Sequence, residues 1–285
     1  MKFFCLNSRG GLFVVLALAL VAPGRAPGAE AAGGGGTAEV VGPAIQMLLQ
    51  STNEADRGNG FAALRGEAEK GSPLAEYNVG VCYDTGFGVA RDQAKALEYY
   101  QKSAKHGLAA AQFDLGLSYL RPGQGIRPDP ELGVQWLRKA ADQGFALAEN
   151  QLGVCYRQGT GRAQNDEEAF KWFERAASHN LPKGLCNLGL AYLEGRGVKK
   201  DASQGINYLR RAAEKGLSKA EYHLALVYFQ GVEATRNDRD AFEWALRSAR
   251  QGFAPANRLG DEIAELLPPE QVEAIQKKVG GTPPR

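Results

Sequence analysis

The residue types that most often carry chemistry are few here. The chain has four cysteines and three histidines in 285 residues. Cys82 and Cys155 stand in near-identical surroundings, "VGVCYDTG" and "LGVCYRQG", and Cys186 lies in "GLCNLG". A thiol could act as a nucleophile or a redox partner if its environment lowered its pKa. His106, His179 and His223 could serve in acid–base or metal chemistry, but none has a second ligand at metal-binding spacing. The glycine loops "GTGR" and "GRGVKK" invite a phosphate-cradle reading. That reading requires a strand, then G-x-x-x-x-G-K-[ST], then a helix, and the full spacing is absent.

The elements around these residues explain them better. "AEYNVGVCYDTGFGVARD" (75–92), "AQFDLGLSYLRPGQGIRPD" (111–129), "ENQLGVCYRQGTGRAQND" (149–166), "GLCNLGLAYLEGRGVKKD" (184–201) and "AEYHLALVYFQGVEATRND" (220–238) fit one template. A glycine column runs Gly80, Gly116, Gly153, Gly189, with Ala225 in the fifth copy. A tyrosine column follows at 83, 119, 156, 192 and 228. Asp92, Asp129, Asn165, Asp201 and Asn237 precede a second helical pattern, with Tyr99, Trp136, Trp172, Tyr208 and Trp244 seven residues on. Each unit closes at Gly71, Gly107, Gly144, Asn180, Gly216 and Gly252, spaced 36, 37, 36, 36 and 36 residues. A fixed period of this length marks a repeat architecture.

Every column has a physical reason. Asp or Asn before a helix accepts a bond from a free N–H of the first turn, a cap worth about 1 kcal/mol. Gly or Asn after a helix suits the left-handed position that closes it. Glycine lets helices approach closely, and the aromatic columns fill the space between them. A helix pair cannot bury its apolar face alone, so neighbouring pairs must stack.

These columns resemble the Sel-one-like repeat, a relative of the tetratricopeptide repeat, over about residues 71–256. The core "LG..Y..G.GV..D" is nearly complete in copies one and four. The resemblance implies an all-α fold, a right-handed α-solenoid of helix-turn-helix repeats. Five repeats are expected at 71–107, 107–144, 144–180, 180–216 and 216–252, after a degenerate repeat at 43–71. Capping helices are expected at 253–279 and a flexible tail at 280–285. In the degenerate repeat Asp56 lies 36 residues before Asp92, and residues 38–50 are read as its first helix.

The leader reads differently. Lys2 and Arg9 precede a ten-residue apolar run, "LFVVLALALV" (12–21), and "AEA" (29–31) fits a small-x-small cleavage site. The run is too short for a membrane span, which needs ~20 residues. Residues 1–31 are expected to be a signal peptide and 32–42 a Gly-rich linker. The mature chain is expected to be exported to the periplasm or the extracellular space, without an integral membrane segment. The alternative is a mitochondrial destination. A formal charge of +2 argues against nucleic-acid binding.

The repeat framework makes the cysteines buried small thiols, too far apart to bridge, since a disulfide needs Cα atoms within ~7 Å. Some cysteine-rich relatives are described as penicillin-binding or weakly β-lactamase-active, which leaves a hydrolase as the alternative function. The usual Ser-x-x-Lys of such enzymes does not occur. No catalytic residue, cofactor or metal is expected. The expected activity is that of a monomeric scaffold or adaptor holding a protein or peptide partner in a concave groove outside the cytoplasm. By register with related repeats, the groove positions are Tyr77, Val81 and Asp84; Phe113, Leu117 and Leu120; Asn150, Val154 and Arg157; Cys186, Leu190 and Leu193; Tyr222, Leu226 and Phe229. The strip is apolar with isolated polar points. Inter-repeat core and binding surface are both open readings of it.

Overall fold

The computed structural model describes residues 37–50, 53–121, 127–231 and 236–280. The expected signal peptide and most of the expected tail lie outside these residues. Among the described residues there are fourteen helices and no strand. The fold is all-α, a solenoid of helix-turn-helix repeats, and it divides into two compact units, one ending at Gln143 and the other beginning at Gly144.

The first unit holds three helix pairs: α1 (Thr37–Gln50) with α2 (Glu54–Glu69), α3 (Pro73–Thr85) with α4 (Gln93–Lys105), and α5 (Ala109–Leu120) with α6 (Pro130–Asp142). Within this unit α2 also packs on α3, and α4 on α5. The second unit holds α7 (Ala146–Gln158) with α8 (Asp166–Ser178), α9 (Pro182–Glu194) with α10 (Ala202–Glu214), and α11 (Ser218–Gln230) with α12 (Asp238–Arg250). The helices α13 (Ala254–Ala264) and α14 (Pro269–Gly280) close it. Apolar residues from α11 to α14 form one core, with Leu259, Ile263, Ile275 and Val279 covering the last repeat.

The helix boundaries follow the sequence columns. The side chains of Asp92, Asp129, Asn165, Asp201 and Asn237 each accept a bond from the backbone N–H three residues on, at 2.9–3.0 Å. Gly71, Gly107, Gly144, Gly216 and Gly252 all have positive φ, and Asn180 is the one non-glycine among the described residues that shares it. Each loop is closed by a bond the sequence did not show. The N–H of the capping residue donates to the carbonyl of the column tyrosine, for example Asp92 to Tyr83 at 2.9 Å and Asp201 to Tyr192 at 3.0 Å. The same bond joins Asp129 to Tyr119 at 3.0 Å.

Two boundaries depart from expectation. The linker expected to reach residue 42 is already helical from Thr37, with Pro43 inside α1. The second helix of the degenerate repeat is capped by Asn53 and not by Asp56, which sits in its first turn. Asn53 is the residue whose backbone is extended and whose side-chain oxygen meets an orphan N–H, that of Ala55, at 3.0 Å.

The glycine column allows close approach. A Cβ on Gly80 would fall 2.8 Å from the Tyr100 ring, and one on Gly153 2.6 Å from the Phe173 ring. In copies two and four it would fall 2.9 Å from the carbonyls of Gly133 and Gly205. The column tyrosines stack on the next column as expected in copies one and four: Tyr83 on Tyr99 at 5.9 Å and Tyr192 on Tyr208 at 5.8 Å between centroids.

Candidate functional site

Packing accounts for the chemistry-bearing residues. Cys82, Cys155 and Cys186 are buried and unbridged. Burial pushes their thiols up to about 12, 11 and 11, away from thiolate reactivity. The "GRGVKK" loop lies against the start of α8 in the previous repeat, where a side chain on Gly197 would overlap the Asp166 carbonyl. Gly197 therefore serves helix–loop contact, and Gly195 is the left-handed cap that ends α9. Two histidines have carboxylate partners that sequence spacing did not reveal. His106 Nδ1 lies 2.7 Å from the buried Glu76, and His179 Nε2 lies 3.4 Å from the buried Glu149, each pair joining the two ends of one repeat. Glu149 also accepts from Arg175 Nε at 3.1 Å. The third histidine, His223, is pushed down to about 4 by burial and by Lys219. Among the described residues no group of His, Cys, Asp or Glu could hold a metal ion.

The expected groove residues separate into distinct environments. Tyr77 is not a surface group. It is 3% exposed, and its hydroxyl donates to the buried Asp114 at 2.8 Å. Val81 is buried beside it. Asp84 is half-buried, with Arg91 3.9 Å away. Phe113 and Leu117 are half-buried on α5. Leu120 and Leu193 pack inward within their own repeats, because Gly133 and Gly205 on the paired helices leave room for them. Tyr222, Leu226 and Phe229 pack against the core shared with α13 and α14. Tyr222 meets Phe253 at 5.3 Å. In these copies the strip supplies packing, since an apolar face next to another helix lowers the free energy by leaving water.

The remaining positions come together. Asn150, Val154 and Arg157 on α7 and Cys186 on α9 line a cavity of about 380 Å³. Lys183 and Asn187 of α9, Leu217 and Lys219 complete its wall. Asn187 Nδ2 donates to Asn150 Oδ1 at 2.8 Å, and Arg157 Nη1 reaches Asn187 Oδ1 at 3.5 Å. The Arg157 guanidinium lies 5.3 Å from the centre of the Phe173 ring, which holds it against the helix pair. Leu190 lines a separate crevice of about 10 Å³ with Arg157 and Asn187, too small for a ligand. Sequence reading missed Lys183 and Lys219, which lie six residues before the glycine column. That column reads Leu74, Ala110, Leu147, Lys183 and Lys219, so its change from apolar to basic was a usable signal.

A solenoid of helix pairs with a walled cavity on successive first helices defines a class of repeat protein. The comparison with known proteins fixes the family. The Sel1 repeat model matches residues 73–108, 109–145, 146–181, 182–217 and 218–253. This chain belongs to the Sel1 repeat family. A Sel1 repeat protein from Oxalobacter formigenes is 30% identical, with a TM-score of 0.72 over 86% of this chain and 98% of that one. A protective antigen of uropathogenic Escherichia coli with the same fold is 27% identical, with a TM-score of 0.71 over 86% of this chain and 53% of that one. Chitin synthase regulatory factor 3 of Schizosaccharomyces pombe is 40% identical over 65 residues, which are 23% of this chain and 7% of that protein. Sel1 repeat proteins are in general non-catalytic scaffolds that mediate protein interactions. No helix of the described residues is long and apolar enough to cross a membrane.

Proposed function

We propose that this protein is an adaptor that holds a peptide or protein partner outside the cytoplasm, with the cavity on α7, α9 and α11 as the point of attachment. One observation carries the reading. Three successive first helices leave about 380 Å³ open between polar and apolar walls, within the range of roughly 300–1,000 Å³ typical of ligand sites. At the same register Tyr77, Leu120, Leu193 and Tyr222 pack against their own surroundings instead.

The test is photocrosslinking in the source organism with benzoylphenylalanine in place of Lys183. Capture of a protein partner from that position, and not from Lys171 on α8, supports the reading. Equal capture from both positions, or none from Lys183, overturns it. Export is a separate part of the proposal and rests on the charged start, short apolar run and "AEA" site of the leader. A reporter fused to residues 1–40 should leave the cytoplasm and lose about its first 31 residues. Retention of the intact N-terminal Met on the cellular protein would end this part of the proposal.

A further inference from the structure

A polar link recurs where each second helix ends, and its chemistry changes from copy to copy. A residue in the first turn of the first helix meets the residue that closes the second helix of the same repeat. In copy one, Glu76 lies 2.7 Å from Nδ1 of His106, the C-cap of α4. In copy two, Gln143, the C-cap of α6, donates to Gln112 at 2.8 Å. In copy three, Glu149 lies 3.4 Å from Nε2 of His179, the C-cap of α8. In copy five, Gln251 donates to Glu221 at 2.6 Å. Copy four has Leu185 and Lys215 at these positions. The three carboxylates are buried, whereas the side chains of His106 and His179 are 50% and 46% exposed.

The fold does not impose the charges. Copy two makes the link from two neutral amides, and copy four has an apolar residue in place of the acceptor. A glutamine cap already satisfies a buried Glu in copy five, so the carboxylate does not call for histidine either. What histidine alone brings is a charge that changes between about pH 5 and 8. Both histidines close helices, where the last backbone carbonyls also favour a cation. In copy three, Arg175 Nε engages Glu149 Oε1 at 3.1 Å. Glu149 Oε2 is buried and accepts no hydrogen bond from any described residue, and His179 is the cation within reach of it. Arg175 and His179, both on α8, are the charged groups that act on Glu149. Glu76 acts on Lys102 of α4 as well as His106, while on α2 the buried Glu67 is paired with Lys70 at 2.7 Å.

We propose that copies one and three carry proton-operated clasps, Glu76–His106 and Glu149–His179, which close more firmly in mild acid, so that α3 and α7 open locally more often as the pH rises. The inference stands apart from the adaptor reading. Protonation turns each contact into a charge-assisted bond between a buried carboxylate and a cation, about twice as strong as a neutral one. A histidine that gains a carboxylate on folding adds stability that is fully present below its unfolded value and lost as the pH rises. Glu149 has the same sign. Burial raises it, against His179 and Arg175, so its contribution is present below its ordinary value of 4.5 and lost above. His223 has the opposite sign, since burial and Lys219 push it down to about 4 and its contribution is lost in acid. It lies on α11, outside both clasps. A global unfolding curve therefore mixes opposed groups, and the clasps must be read helix by helix.

The chain supplies its own reporters. Cys82 on α3 and Cys155 on α7 are buried free thiols, so each reacts only when its helix opens. The full chain is labelled with dithiodipyridine at about pH 5.5 and about pH 8, on either side of an ordinary histidine titration. Peptide mass mapping then resolves the rate at each cysteine. Every variant is compared with the unchanged protein at the same pH, which cancels the reagent's own pH dependence and the titrations of Asp114, Glu221 and His223. In acid, His106→Gln should speed labelling of Cys82 by about three- to tenfold and leave Cys155 alone, the loss expected for one cation at a helix C-terminus beside a carboxylate. His179→Gln should do the reverse. At the higher pH neither variant should differ from the unchanged protein by more than about twofold, because glutamine keeps the hydrogen bond seen in copy five. In a Glu149→Gln background, His179→Gln should change labelling at neither pH. Equal acceleration at both pH values would make the histidines plain structural links and overturn the proposal. So would the absence of acceleration in acid, or a His179→Gln effect that survives without Glu149.

Discussion

The first helices of copies one and two and those of copies three and four present the same positions with opposite contents. In the N-terminal unit, Tyr77 reaches Asp114 at 2.8 Å, its ring lies 5.6 Å from Tyr100, and both tyrosines are buried. In the C-terminal unit, Asn187 reaches Asn150 at 2.8 Å beside a cavity of about 380 Å³. The backbone frame is the same in both, since caps, loop closures and glycine contacts recur. What differs is side-chain volume and sign of charge at positions the frame leaves free. A solenoid needs neighbouring repeats to bury their apolar faces but does not need every groove position for that purpose. The N-terminal unit packs Tyr77 and Asp114 at those positions, and copies three and four leave a cavity there.

The largest stability effect expected from this contrast comes from converting the filled site into the open one. Tyr77→Asn removes a buried ring and takes away the hydroxyl that donates to Asp114. The cavity and the lost partner together should cost about 3–5 kcal/mol in chemical denaturation. The Asn150→Ala change, made beside an existing cavity, should cost far less. Equal losses at the two sites would mean that the C-terminal cavity is packed as tightly as the N-terminal site, and the contrast would fail.

The next effect is smaller and depends on pH. Burial holds Asp114 up at about 7, with Asp84 adding to the shift and the Tyr77 bond opposing it. A carboxyl group whose pKa is raised by folding contributes stability that is fully present below its unfolded value near 4. That contribution is lost as the pH rises through about 7. Asp114→Asn keeps an acceptor for Tyr77 and removes the charge. At pH 8 it should stabilise the protein by on the order of 2–4 kcal/mol, and at pH 4 it should have little effect. Glu221, also raised by burial to about 7, leaves a residual slope of the same sign from the C-terminal unit. A destabilised Asp114→Asn at pH 8 would show that the charge contributes favourably where it stands.

Features legible in the sequence are those that the backbone dictates in every copy. A cap needs an oxygen at one position, and a left-handed residue needs Gly or Asn, so these columns repeat whatever surrounds them. The residue lying over the glycine column was harder to read because its size varies: Tyr100, Leu137, Phe173, Leu209 and Ala245. Its variation is matched elsewhere. Where the paired helix carries Gly133 or Gly205, Leu120 or Leu193 fills the gap. Where the glycine column changes to Ala225, the facing position shrinks to Ala245 in the same core. Such compensation is visible only after the pairing is known. The groove was half legible for a related reason. Register placed Asn150, Val154, Arg157 and Cys186 on one strip, but whether a strip is covered depends on side chains from two other helices. The lysines at 183 and 219 belong to a column that the register of the strip leaves out.

The smallest expected effect tests the shared half of the comparison. Asp129 caps α6 in the first unit and Asp201 caps α10 in the second, accepting from Leu132 and Gln204 at 3.0 and 2.9 Å. Both carbonyl closures from the preceding tyrosine are present at 3.0 Å. Asp129→Ala and Asp201→Ala should therefore each cost about 1 kcal/mol, irrespective of the filled or open face nearby. Neither should alter photocrosslinking from position 183, because Asp201 lies in the loop before a second helix and does not line the cavity. Denaturation and photocrosslinking on the same two variants separate the possibilities. Similar stability losses with unchanged binding would locate the functional difference in the groove side chains alone. A loss of binding in Asp201→Ala would instead show that the cavity depends on how firmly α10 is anchored, and the frame could no longer be treated as common to both units.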